Sequence, residues 1–319
     1  MARWLLALCL LAASQAAADR PRPAARWRVV ETLPAGSMPW GVIARDGSVY
    51  VAHVGYAGRD NVFRYDARKA IAARARFPGH AVELALSRDG KTLYAGNSRK
   101  DLVMALDAAT LAVKKTYATG SGPKDLCLSP DERTIYAGNF NTSTISVLPA
   151  GGGPARLISV GDGPRGLDTS ADGKKLYVAS LRAGTVSVID TTSLRVQKTI
   201  PGCRGAAHTA LTPDGKRLLV TCYGAKHVQV IDTATDEPLR LIEVERGPNP
   251  IAVTPDGRFA LVGNEFASSL STIDLTTWEV TTMAVPIDRP TGLFVDPTGR
   301  RAYLTGRGTP KLLVLEPAP

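Results

Sequence analysis

The sequence predicts an all-β protein: a seven-bladed β-propeller of four-stranded blades, its ring closed by an N-terminal strand. Three observations carry this. One turn motif recurs seven times, its period is nearly constant, and each period holds four short apolar segments. The motif, Ser/Thr-Pro-Asp-Gly-Lys/Arg, is complete at 212–216 and 254–258 and varied at 87–91, 129–133 and 170–174. Degenerate copies surround Asp46 and Asp296. The anchor positions 46, 89, 131, 172, 214, 256 and 298 are 43, 42, 41, 42, 42 and 42 residues apart. Seven units of this length indicate a propeller. The 30 glycines and 22 prolines recur at regular positions, which argues for a turn-rich β-protein and against disorder.

The unit around residues 164–200 shows each element. Gly166–Thr169 reads as the inner strand A, ended by the Asp172-Gly173 turn, where glycine tolerates the positive φ such turns use. Lys175–Ser180 reads as strand B and Thr185–Asp190 as strand C. The Thr191-Thr192-Ser193 turn then leads to strand D at Arg195–Ile200. These segments are short, β-branched or aromatic, and bounded by turn residues. Their near-continuous apolar character fits sheets covered on both faces. The last repeat stops at a strand C, Leu312–Leu315, while Trp27–Leu33 is a strand without a blade. The second should supply the missing outer strand and remove the open edge.

Residues 1–18 read as a signal peptide and 19–319 as the propeller. Arg3 is a positive start, Trp4–Ala13 an apolar core too short for a bilayer, and Ala16-Ala17-Ala18 a cleavage region. No other apolar run is long enough for a transmembrane helix. The expectation is a monomeric protein of the periplasm or the extracellular medium.

Blade 4, with Lys175–Ser180 followed by Thr185–Asp190, resembles the YVTN repeat of exported bacterial and archaeal propellers. Leu218–Thr221 with Val228–Asp232 repeats it, as does Leu261–Asn264 with Ile273-Asp274. The resemblance covers nearly the whole chain and extends to YncE-like proteins in length and leader. It implies export and a binding or surface role, and supplies no catalytic set. The same repeat occurs in lactonases, haem-d1 proteins and quinoprotein-associated propellers.

In this topology the D–A connections and B–C loops share one face, the mouth of the central channel. Trp40, Glu83, Asp125, Arg165, His208, Asn249 and Thr291 open the seven strands A and are expected to ring that mouth. His53 and His80 should lie near it. Together they form a candidate site for a small anion, peptide or protein partner. No metal or cofactor is expected, since no Cys-x-x-Cys, His-Glu-x-x-His or haem-attachment motif is present.

The leading expectation is therefore a non-catalytic binding scaffold. A lactonase-like hydrolase is the first alternative, because Gly163-Pro164-Arg165 and the segment 263–269 resemble lactonase segments. Those proteins follow Pro-Arg with His, and here Gly166 stands there. No Gly-x-Ser-x-Gly elbow supports serine chemistry. The formal charge of +10 raises a second alternative, single-stranded DNA or another polyanion. Basic residues exceed acidic ones at both ends of the predicted ring, which points to a generally basic surface. Of the three cysteines outside the leader, Cys203 and Cys222 should meet at the mouth face and are a disulfide candidate. Cys127, within strand A of blade 3, reads as a buried thiol.

Overall fold

The structure, a computed structural model, describes residues 26–55 and 60–318. The leader, and Tyr56 and Arg59 of the first mouth loop, lie outside the described residues. Twenty-eight strands, numbered in chain order, form seven four-stranded antiparallel sheets, and no helix occurs among the described residues. Blades 1 to 6 cover residues 39–75, 81–118, 123–159, 164–201, 206–243 and 248–284, each using four consecutive strands. Blade 7 has only three of its own, from 290 to 317. Its outer strand is β1 (Trp27–Pro34), paired with β28 (Thr309–Pro317) from Trp27↔Pro317 to Pro34↔Lys311.

The recurring turn has a chemical cause. Ser87 Oγ donates to Asp89 Oδ1 at 2.6 Å, Lys91 N donates to the same oxygen, and Thr92 N donates to Ser87 Oγ. Gly90 takes the φ of +69° that the turn requires. Blades 3 to 6 repeat this arrangement around Asp131, Asp172, Asp214 and Asp256. The hydroxyl and amide donors hold the carboxyls of Asp89, Asp131, Asp172 and Asp214 below their usual range. The strict period of the sequence is thus the period of one hydrogen-bonded loop.

Apolar side chains pack between adjacent blades rather than around one centre. Tyr177, Val186 and Ile200 of blade 4 pack against Leu218, Val220 and Ile231 of blade 5. Tyr303, Leu312 and Val314 of blade 7 pack against Val42, Val49 and Val51 of blade 1, so the closing seam has the same core as the others. Polar bonds also cross blades: Lys175 Nζ reaches Asp236 Oδ2 at 2.7 Å, and Arg217 donates to the Leu275 carbonyl at 2.9 Å.

The inner strands are β2 (Pro39–Arg45), β6 (Ala81–Leu86), β10 (Pro123–Leu128), β14 (Pro164–Thr169), β18 (Ala206–Leu211), β22 (Pro248–Val253) and β26 (Pro290–Val295). Each begins earlier than the apolar pattern indicates, at a proline in five of the seven. Pro lacks an N–H for the ladder and is admitted at a strand's first residue or at a bulge. Both conditions hold, because in every blade the register to strand B slips just after that first residue.

Candidate functional site

The slip next to the mouth re-aims the side chains that follow it, which is the usual effect of a β-bulge. It splits the seven expected ring positions into two tiers. Trp40, Arg165, Asn249 and Thr291 follow their strand's first residue by one, together with Lys124. Glu83, Asp125 and His208 follow it by two. The seven positions expected to ring the mouth therefore do not stand at one level in their strands.

The upper tier gathers on Trp40. Lys124 Nζ lies 5.5 Å from the Trp40 ring centroid, the Arg307 guanidinium 5.8 Å and the Arg165 guanidinium 6.0 Å. Cations at such distances over an indole face are attracted by its quadrupole. Arg165 also lies 5.6 Å from the Tyr223 ring, which packs on Phe266 with centroids 5.1 Å apart. Its Nη2 donates to Asn249 Oδ1 at 3.0 Å, so one guanidinium spans from blade 4 to blade 6. Asn249 Nδ2 donates to Glu265 Oε2 at 2.8 Å, and Glu265 Oε1 is paired with Arg307. Glu265 is 1% exposed, and this pairing satisfies the charge burial would otherwise penalise. Burial and the two neighbouring arginines push the Lys124 ammonium below its ordinary range.

A disulfide joins Cys203 to Cys222 with Cα atoms 5.5 Å apart. It pins the B–C loop of blade 5, because Tyr223 follows Cys222 directly and donates its N–H to the Gly205 carbonyl. The crosslink thereby fixes the aromatic wall against which Arg165 rests.

The lower tier lines the channel. Asp125 accepts hydrogen bonds from Leu126 N at 2.7 Å and Leu167 N at 2.9 Å. Glu83 accepts a long one from Leu84 N. Burial pushes the Glu83 carboxyl up to about 7 against the pull of Arg165. Burial and the nearby Glu83 raise Asp125 well above the carboxylate range. His208 is pushed down to about 3 by burial and by Arg165, which leaves a neutral imidazole. Asp168, two residues below this tier, is raised to about 6 by burial.

The remaining expected residues separate. His53 is fully buried, accepts from Gly36 N at 3.0 Å and packs on Phe63, so it braces blade 1, and its Nδ1 has no hydrogen-bond partner among the described residues. His80 is half-buried beside Arg99 and Lys124 at the edge of the cluster. Thr291 donates to the Pro39 carbonyl at 3.1 Å and serves the seam between blades 7 and 1. Cys127 is free and lines the channel, its thiol pushed up by burial. Gly166 has a steric cause: a Cβ there would stand 2.5 Å from the Ala207 carbonyl oxygen and 2.7 Å from His208 Cα. The histidine found there in lactonase segments has no room in this chain.

Nothing in the sequence shows that Lys124 and Arg307 meet Trp40, or that Tyr223 stands on Arg165 and Glu265 on Arg307. Asp168 carried no signal, since it sits inside an ordinary strand pattern.

Comparison with known proteins places the fold. The family model of the YNCE-like beta-propeller matches residues 35–254. No curated protein matches the sequence significantly. Among solved structures, hydrazine synthase of Kuenenia stuttgartiensis aligns with a TM-score of 0.76 at 21% identity, over 90% of this chain and 96% of that one. Virginiamycin B lyase of Staphylococcus aureus aligns with a TM-score of 0.77 at 13% identity, over 92% and 100%. At these identities the likeness is one of fold. The family match, by contrast, spans well over half of the chain, and the protein belongs to the YNCE-like β-propeller family.

Proposed function

We propose that the chain is an exported binding propeller that takes a small anionic ligand at the channel mouth. The observation that carries this is the convergence of Lys124, Arg165 and Arg307, from three blades, on one indole. Glu265, the acid seated among them, is already engaged by Arg307 and Asn249, while Glu83 and Asp125 act on Arg165 from the tier below. Arg307 Nε is buried without a hydrogen-bond partner among the described residues, a donor that an anion's oxygen would satisfy. A planar carboxylate suits this arrangement, because guanidinium forks match carboxylate geometry and Trp40 offers a face for stacking.

Export is supported by the apolar leader-like core Trp4–Ala13 and by the disulfide, since such bonds persist in oxidising compartments. The two structural neighbours are named as a synthase and a lyase, and a shared fold chooses neither role for this chain. The absence of room beside Arg165 for a polarising histidine favours binding over lactone hydrolysis.

Calorimetry with benzoate and with inorganic phosphate at low salt tests the reading. Benzoate should bind, weaken with added salt, and lose roughly tenfold or more in affinity in Arg165→Ala, the effect of one charge-assisted hydrogen bond. No binding of either anion at low salt would sink the proposal.

A further inference from the structure

The mouth cluster leaves the rest of the channel unexplained. Below it lies a cavity of about 420 Å³ lined by the inner strands of all seven blades. Its walls reach Arg88, Ser129, Pro130 and Glu132 of the A–B turns, at the end opposite the mouth. Trp40, Lys124 and Arg165 are not among its walls, although Arg165 stands next to Glu83 and His208, which are.

Its two sides differ in chemistry. Blades 2, 3 and 4 contribute the carboxyls of Glu83, Asp125 and Asp168, and blade 5 the imidazole of His208. Blades 6, 7 and 1 contribute an apolar wall that includes Ile251, Leu293, Phe294 and Ile43. Three polar atoms here, Asp168 Oδ2, His208 Nε2 and Thr209 Oγ1, are buried with no hydrogen-bond partner among the described residues. An unpaired buried polar atom costs free energy and calls for a cause. At the mouth the unpaired atom is a donor; here the Asp168 oxygen offers lone pairs, and the Thr209 hydroxyl and one nitrogen of the neutral His208 ring can accept as well.

We propose that this cavity is a second binding site, for a small organic ammonium ion whose nitrogen meets the acidic wall and whose apolar body lies on the other. An ammonium group brings positive charge and only donors, which is what Asp168 and its neighbours lack. A metal ion fits less well, since no group of three or more His, Cys, Asp or Glu among the described residues is placed to hold one. Glu132 and Arg88 stand at the entrance, where the Arg88 amide donates to the Glu132 carboxylate.

The site is coupled to protons. Glu83 faces Asp125, Arg165 and the backbone of blade 1 at Gly41. Asp125 faces Glu83, Asp168 and the Leu167 amide, while Cys127 feels both Asp125 and Asp168. Asp168 lies beside Thr209, and His208 faces Arg165. Only Arg165 among these brings a positive charge. An entering ammonium stabilises the ionised carboxylates, so binding releases protons to solvent and strengthens as pH rises.

The test titrates the full chain with n-butylammonium chloride by calorimetry at pH 6, 7 and 8, with n-butanol as the uncharged control. Butylammonium should bind and butanol should not. Affinity should rise by up to about tenfold between pH 6 and 7, the limit for one released proton. Asp168→Asn and Glu83→Gln should each weaken it roughly tenfold or more, on the scale of a lost hydrogen bond to a charged group. Benzoate binding in Asp168→Asn should stay at the wild-type level, which separates this site from the mouth. Melting curves establish that each variant folds; for one that does not, the imidazole NMR signals of wild-type His208 should shift on adding the amine. Nα-acetyl-lysine amide and a lysine-centred peptide distinguish the sources of the ammonium. Binding of those two assigns a side chain, and binding of butylammonium alone assigns a free amine. Absence of amine binding, or affinities unchanged in both folded variants, would overturn the proposal.

Discussion

At the scale of single residues, the channel holds groups whose burial works against the fold. Glu83 keeps its proton up to about pH 7 in the native protein, whereas an unfolded glutamate loses it near its ordinary value of 4.5. Between those values the native state binds the extra proton, so this group's contribution to stability falls as pH rises. His208 and His53 act in the opposite sense. Their native values of about 3 and about 4 lie below the ordinary 6.5, and their contribution rises with pH until the unfolded imidazoles have also lost their protons. Above about pH 6.5 the histidine contribution is complete, and the carboxyl penalty is what still changes. Melting of Glu83→Gln should therefore gain on wild type between pH 5 and 8, by a few degrees on the scale of 2–4 °C per kcal/mol. A constant difference across that range would refute the assignment. Groups that cost stability fit the general conflict between a stable core and a working site.

At the scale of elements, strands B and C of blade 4 were fully legible, because their composition and their bounding turns agree. Lys175–Ser180 and Thr185–Asp190 fall on the observed strands β15 and β16 residue for residue. The inner strands were less so. Their first two residues carry a proline or alanine and a bulge, and neither shows in an apolar pattern, so Gly166–Thr169 was expected where Pro164–Thr169 is found. The same bulge hid the division of the ring into tiers, and with it the partnership of Trp40 with Lys124 and Arg307. Those contacts join blades 1, 3 and 7, a spatial relation that no period of about 42 residues encodes. The Cys203–Cys222 crosslink belongs to this scale too. It closes a loop with a sequence separation of 19 and should stabilise the chain by about 3 kcal/mol. Reduction, or Cys203→Ser with Cys222→Ser, should lower the melting temperature by roughly 5–10 °C. Because the bond pins Tyr223 beside Arg165, it should also weaken benzoate binding. An unchanged benzoate affinity would show that Tyr223 holds its place without it.

At the scale of the whole molecule, the ring is continuous in packing but not in covalent structure. Arg26 and Ala318 meet through an amide-to-carbonyl hydrogen bond, so the two ends of the folded chain are neighbours. A circular permutant that links them by a short flexible segment and opens the exposed C–D turn at Thr192-Ser193 should fold and keep benzoate binding. Deleting residues 26–34 should instead leave the apolar β28 as a bare edge and drive association, seen by light scattering. A monodisperse monomer after that deletion would contradict the role given to β1. The seam also sets an order of events in time. A chain made from its N-terminus completes β1 first, yet the partner of Trp27 is Pro317, at the far end of the propeller. Six blades can assemble as they emerge, each on its predecessor, while the oldest strand waits for the youngest. Closure then reports that the seventh blade has been made: a chain cut short before β28 can build every early blade and still never seal.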